Sequence, residues 1–263
     1  MFSIYLYSLV SVSVVSLIAL LGIFTLSLQE RLLRKYVFLL VSLAVGALLG
    51  DAFIHLIPEA FEITSNPVMQ SLSIITGIII FFILEKLLHW HHHQTENQID
   101  IEEMGENTNH HNQKHIHPVG KMILISDGIH NFIDGLIIGV SYLVSIEVGI
   151  ATTIAIILHE VPQEIGDFGI LIHSGYSKFK ALWFNFLSGL TAVIGTVIAL
   201  VLGSSSESIT LWLIPLAAGG FIYIAMSDLI PEMHRTKSIR ESVLQICMVL
   251  IGVFAMVLLL ALE

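Results

Sequence analysis

Apolar residues fall in eight long blocks, at about 4–28, 37–61, 69–90, 119–143, 148–173, 179–203, 209–231 and 241–262. Each is near the ~20 residues that an α-helix needs to cross a bilayer. Blocks one, three, six and eight are plainly apolar. Blocks two, four, five and seven are interrupted by ionisable groups, and a hydropathy window is expected to lose the fourth. The pattern predicts an all-α, polytopic membrane protein of eight transmembrane helices. Residues 1–90 hold helices one to three, 91–118 form a long connection, 119–173 hold helices four and five, and 179–263 hold helices six to eight.

Charge placement supports that count. Lys and Arg total 11, and all of them flank the connections after blocks one, three, five and seven. The opposite side carries none. Basic residues mark the cytoplasmic side of a membrane protein, so both termini are expected outside, in a plasma or bacterial inner membrane. The first block lacks the basic leader of a cleaved signal and reads as a retained helix. The one long connection, "HHHQTENQIDIEEMGENTNHHNQKHIHP" at 91–118, is polar, acidic and His-rich. Its composition predicts a disordered cytoplasmic loop with some capacity for loose metal capture.

A short motif recurs. Leu56-Ile57-Pro58-Glu59 closes block two, and Leu229-Ile230-Pro231-Glu232 closes block seven. The two blocks run in opposite directions, so the chain is expected to be an inverted repeat of three helices around a central pair, a 3+2+3 arrangement. Transporters built this way hold their substrate near the midplane, where helices are interrupted. Gly46, Gly50, Gly219 and Gly220 are expected at close helix crossings.

The central pair carries the chemistry. At 100° per residue, Asp127, His130, Asn131 and Asp134 share a sector of about 100° on block four. His159, Glu160, Gln163, Glu164 and Asp167 share about 140° on block five. One carboxylate at mid-bilayer costs about 2.5–3.5 kcal/mol even on lenient scales. Five acids on these two faces therefore need partners, and neither polar stretch contains Lys or Arg. A bound cation is the natural counter-charge. His130 with Asp134, His159 with Gln163, and Glu160 with Glu164 are each one turn apart, near enough to share an ion. Asn131 with Asp134 and Glu160 could form a neighbouring position. A donor set without sulfur suits Zn²⁺, Fe²⁺ or Mn²⁺. Pro162 is expected to open the helix beside these ligands. Asp51, His55, Asp127, Glu164, Asp167 and Asp228 are candidates for the transport pathway. A lone membrane histidine is more often a packing residue, but sided polar groups on two adjacent helices weigh against that reading here.

Composition narrows the class further. Hydrophobic residues make up 55% of 263 residues, charged residues only 12%, and the net charge is −10. An acidic membrane protein is not built for nucleic acid. The single Cys247 excludes a disulfide framework or thiolate cluster, and no prosthetic group is expected.

"HNFIDG" at 130–135, "HEVPQEIGDF" at 159–168 and "GDAFIHLIPEA" at 50–60 resemble the signatures of the ZIP family of divalent metal transporters, in its LIV-1-like branch. The resemblance covers the whole chain. It implies metal moved toward the cytoplasm, with His130, Asp134 and His159 in a primary site, Asn131 and Glu160 in an adjacent one, and Asp134 bridging them. Gln163 departs from the pattern, which has His there in this branch and Glu in others. "NFLSGLTAVIG" at 185–195 lacks the acid that some relatives use for a second metal, leaving Asn185 or Thr191 to line the pathway. A homodimer is a candidate assembly. Two other functions compete: proton- or sodium-coupled transport of another solute, and an intramembrane zinc metalloprotease, because "HEVPQ" is one residue from H-E-x-x-H.

Overall fold

The computed structural model describes residues 2–22, 30–63, 66–103, 118–203, 207–234 and 238–260. Within these, the side chains of 30–36, 63, 87–103, 118–119, 207–210, 228 and 232 lie outside the description.

The described chain forms eight helical rods and no strand. Helix α1 is Phe2–Ile18 with a 3₁₀ turn at Ala19–Leu21, and α2 runs from Glu30–Gly50 through a widened turn at Asp51–Leu56 to Ile57–Ile63. Next come α3 (Pro67–Glu103), α4 (Pro118–Val144) and α5 (Ile146–His173). The sixth rod, α6, is broken at Leu190 into Lys178–Gly189 and Thr191–Gly203. The seventh, α7, runs Glu207–Tyr223, Ile224–Leu229 and Ile230–Met233, and α8 is Ile239–Leu260. Helix α3 extends through the first part of the His-rich connection, and 104–117 lie outside the described residues.

Six helical stretches are apolar and long enough to cross a bilayer, with Leu211–Ser227 a shorter one. The fourth block, Gly120–Val144, is among the six, and the fifth is the one missing. Its four acids, Glu147, Glu160, Glu164 and Asp167, outweigh its apolar length. Hydropathy therefore fails on α5, not on α4.

Local chemistry sets the boundaries. Ser145 alone joins α4 to α5, and its hydroxyl accepts the Val148 amide at 3.1 Å as an N-cap. Gly175, at φ 93°, makes the turn into α6. Proline shapes the interior differently from expectation. Helix α5 passes through Pro162 without a break. The widened turns instead precede Pro58 and Pro231, in the two copies of the Leu-Ile-Pro-Glu motif. Proline lacks an amide hydrogen and crowds the carbonyl four residues back. There the backbone relaxes into π-helical geometry, with Ile57 N–H bonding Ala52 O and Ile230 N–H bonding Ala225 O.

Packing divides the rods into two groups. Helices α4 and α6, α4 and α5, and α1 with α5 and α6 pack together; α2 with α8 and α3 with α7 form the other group, and α2 against α5 joins them. Glycines mark these crossings. A Cβ on Gly135 would strike the Ala192 backbone, and one on Gly195 the Phe132 backbone, so α4 and α6 touch main chain to main chain. Gly46 and Gly219 serve α2–α8 and α3–α7 in the same way, while Gly50 faces Met256 and Gly220 faces Phe81.

The surface is apolar and the interior holds acids. Phe2, Ile79, Phe82, Trp183, Leu250 and Phe254 are exposed, whereas Asp51, Asp127, Asp134, His159, Glu160 and Glu164 are buried. Such an inside-out distribution belongs to an integral membrane protein, in which lipid covers the apolar exterior.

Candidate metal centre

Two faces, one on α4 and one on α5, meet in the middle of the bundle. Helix periodicity aligns His130 above Asp134 on the first, and places His159 next to Glu160 on the second. One ligand atom from each of these four residues lies within 4.8 Å of all the others. His159 Nε2 is 3.0 Å from Asp134 Oδ2, 3.3 Å from His130 Nε2 and 3.7 Å from Glu160 Oε1. His130 Nε2 is 3.8 Å from Asp134 Oδ2 and 3.5 Å from Glu160 Oε1.

One tautomer of His159 suits metal binding. His159 Nδ1 lies 3.2 Å from the Ala155 carbonyl, which can only accept. With the proton on Nδ1, Nε2 is free to present a lone pair to an ion beside Asp134. Both oxygens of Asp134 and both of Glu160 are buried without a hydrogen-bond donor. Burying unpartnered carboxylates costs several kcal/mol each. Lone pairs converging on one point need a positive charge at that point.

The distances suit a small divalent ion. Ligands at ~2.0–2.2 Å from one tetrahedral zinc lie ~3.3–3.6 Å from each other, and the five separations span 3.0–3.8 Å. Phe221 packs its edge against the His159 ring, with centroids 6.4 Å apart, and fixes it from the α7 side.

Glu160 also belongs to a second group. Its carboxylate lies within 4.8 Å of ligand atoms of Asp127 and Glu164. Here α6 supplies neutral donors. Ser188 donates to Asp127, and Asn185 donates to Glu164 and, at 3.3 Å, to the Ala19 carbonyl. Asn131 Nδ2 donates to Asp127 Oδ1 at 2.8 Å, leaving its own buried Oδ1 without a donor. The break in α6 at Leu190 sits beside these contacts, where Thr191 donates to the Gly128 carbonyl at 2.6 Å.

The remaining sequence candidates separate. The half-buried Gln163 lies beside Asp127. Asp167 is buried farther along α5 and belongs to neither group. Asp51 and His55 form a pair of their own, with Nδ1 and Oδ1 3.4 Å apart, and Thr152 donates to Asp51 at 2.9 Å. Thr152 precedes His159 by seven residues, about 10 Å along the helix. The side chain of Asp228 lies outside the described residues. Ser188 was not singled out by sequence, although Asn185, Ser188 and Thr191 recur at helical spacing on one face of α6. Glu85 was also missed. It accepts hydrogen bonds from Tyr223 and, at 3.2 Å, from Ser227.

Known proteins resemble this chain over most of its length. The profile of the family described as ZIP zinc transporter matches residues 2–260. Zinc transporter ZIP13 of Danio rerio is 33% identical over 260 residues, covering 84% of this chain and 75% of that one. The ZIP13 homolog of Drosophila melanogaster is 31% identical, covering 87% and 77%. Metal cation symporter ZIP14 of Xenopus tropicalis is 32% identical, covering 89% of this chain and 63% of its own length.

Proposed function

The chain belongs to the ZIP zinc transporter family, and from that premise we propose that it carries Zn²⁺, or a similar divalent cation, toward the cytoplasm by alternating access. The family supports a divalent metal transporter; the cargo and the alternating-access mechanism are inferred from the site. The observation that carries it is the set of 3.0–3.8 Å separations among His130, Asp134, His159 and Glu160, with the buried oxygens of Asp134 and Glu160 lacking a hydrogen-bond donor. Two imidazoles favour a transition metal over a proton or Na⁺, since alkali ions prefer oxygen alone. Because the family consists of transporters, the protease reading of "HEVPQ" is set aside.

In this reading the cation exchanges its water for His130, Asp134, His159 and Glu160, with Glu160 shared with Asp127 and Glu164, and then leaves toward the cytoplasm. Asn131 positions Asp127, and Gln163 offers a neutral amide oxygen beside it. The binding is moderated by that neutral donor, which helps release. Direction and the extracytoplasmic placement of both termini rest on the one-sided Lys and Arg.

The test is isotope uptake into proteoliposomes, with Zn²⁺, Fe²⁺, Mn²⁺ and Cd²⁺ in competition. Wild-type protein is expected to accumulate Zn²⁺, and His130→Ala and His159→Ala to lose uptake. No metal flux in any lipid sinks the function, and undiminished flux in both variants sinks the residue assignment.

A further inference from the structure

Resting on that transport reading, we infer that Glu85 of α3 is a hand-off carboxylate, passing a divalent cation between His130 and the cytoplasmic water. The four ligand side chains are unequal in reach. Asp134, His159 and Glu160 are at most 1% exposed, whereas His130 is 18% exposed. The buried group thus opens outward through one imidazole.

That imidazole faces a cavity of about 90 Å³ between α3, α4 and α7. Its polar lining comes from Glu85, Ser126, His130 and Tyr223, with Phe81 and Ile129 among its apolar walls. At about 30 Å³ per water, it holds roughly three waters, enough for a partly hydrated cation and too few for a full shell. Glu85 is the carboxylate among the described residues lining it. A dication leaving His130 for an apolar-walled cavity has lost a ligand and not yet recovered its water. One negative charge on the far wall lowers that intermediate's energy in both directions.

Glu85 is also placed and held for this role. Tyr223 and Ser227 both donate to its Oε2, anchoring it to α7 at the edge of the widened turn. Lys86 follows it, beginning the basic and His-rich stretch assigned to the cytoplasm, and reaches back over Phe82 at 5.5 Å. The carboxylate therefore lies between the buried ligands and that side.

A purely structural Glu85 would only tie α3 to α7. Glu85→Gln separates the two roles, because the amide oxygen still accepts from Tyr223 and Ser227 while the charge is gone. Full-length protein in detergent is loaded with Zn²⁺ and stripped with excess EDTA in a stopped-flow instrument, alongside equilibrium Zn²⁺ binding. Glu85→Gln is expected to slow stripping about tenfold with unchanged equilibrium affinity, since a waypoint alters rates in both directions equally. Glu85→Asp, which keeps the charge, is expected to recover part of the rate. Unchanged stripping in Glu85→Gln overturns the inference alone. Equal slowing in Glu85→Asp, or lost affinity in Glu85→Gln, assigns Glu85 to packing and also overturns it. Wild-type protein that binds no Zn²⁺ overturns the transport reading, and this inference with it.

Discussion

Oδ2 of Asp134 and Nε2 of His159 stand 3.0 Å apart across the α4–α5 crossing, while the other nitrogen of His159 is committed to Ala155. With the proton on Nδ1 both facing atoms are acceptors, and a metal ion between them would join the two helices. His159→Ala and Asp134→Asn are each expected to weaken Zn²⁺ binding at least about 100-fold, the upper end of what losing a supporting partner costs. Calorimetric titration of purified protein checks this. An affinity within threefold of wild type would remove both residues from the site.

Gln163 is the position at which a role in metal choice can be tested. It lies beside Asp127 with an amide that donates as well as accepts. Gln163→His adds an imidazole, which favours Zn²⁺ over Mn²⁺. The expected outcome is a shift of about tenfold in the Zn²⁺ to Mn²⁺ competition ratio, together with slower release. Unchanged competition would show that position 163 does not touch the cargo.

Asn185 supports the second acidic group from α6. It donates to the buried carboxylate of Glu164 and to the Ala19 carbonyl. Asn185→Leu leaves both acceptors unserved, at a cost of about 1–3 kcal/mol. Thermal unfolding in detergent without metal is expected to show that loss, whereas an unaltered midpoint would mean Glu164 finds another donor.

Gly135 lets α4 lie directly on α6. A methyl group there meets main chain, not the flexible end of a side chain. Gly135→Ala is therefore expected to cost about 1–3 kcal/mol as overpacking and to lower Zn²⁺ affinity, because Asp134 is its chain neighbour. A variant with wild-type melting and binding would refute the close crossing.

Much of this arrangement was legible in one dimension. The eight rods follow from apolar blocks near bilayer length, and the sided polar faces of α4 and α5 follow from helical periodicity. Lys and Arg placement adds an expected orientation, on which hydropathy alone is silent. What escaped has a physical reason. Ser188 is a single neutral hydroxyl in an apolar helix, and its value lies in reaching Asp127 across a crossing that sequence does not specify. Glu85 looks like the polar end of the third apolar block until Tyr223 and Ser227, far along the chain, are seen to hold it. The proline in α5 was the more conspicuous breaker, yet that helix runs on. Propensity gives the location of strain, while packing decides where the backbone yields.

The widened turns at Asp51–Leu56 and Ile224–Leu229 have a consequence for how these helices tolerate change. A π turn accommodates one more residue than an α-helical path of the same height, so everything beyond it is rotated by about 100°. It acts as a phase shifter, letting one rod show Asp51 to α5 and then point Glu59 and Ala60 elsewhere. Substitutions within it keep the phase; a one-residue deletion would restore α-helical register and turn everything beyond it onto the wrong neighbours. Length, more than identity, is what these six-residue segments supply to the fold.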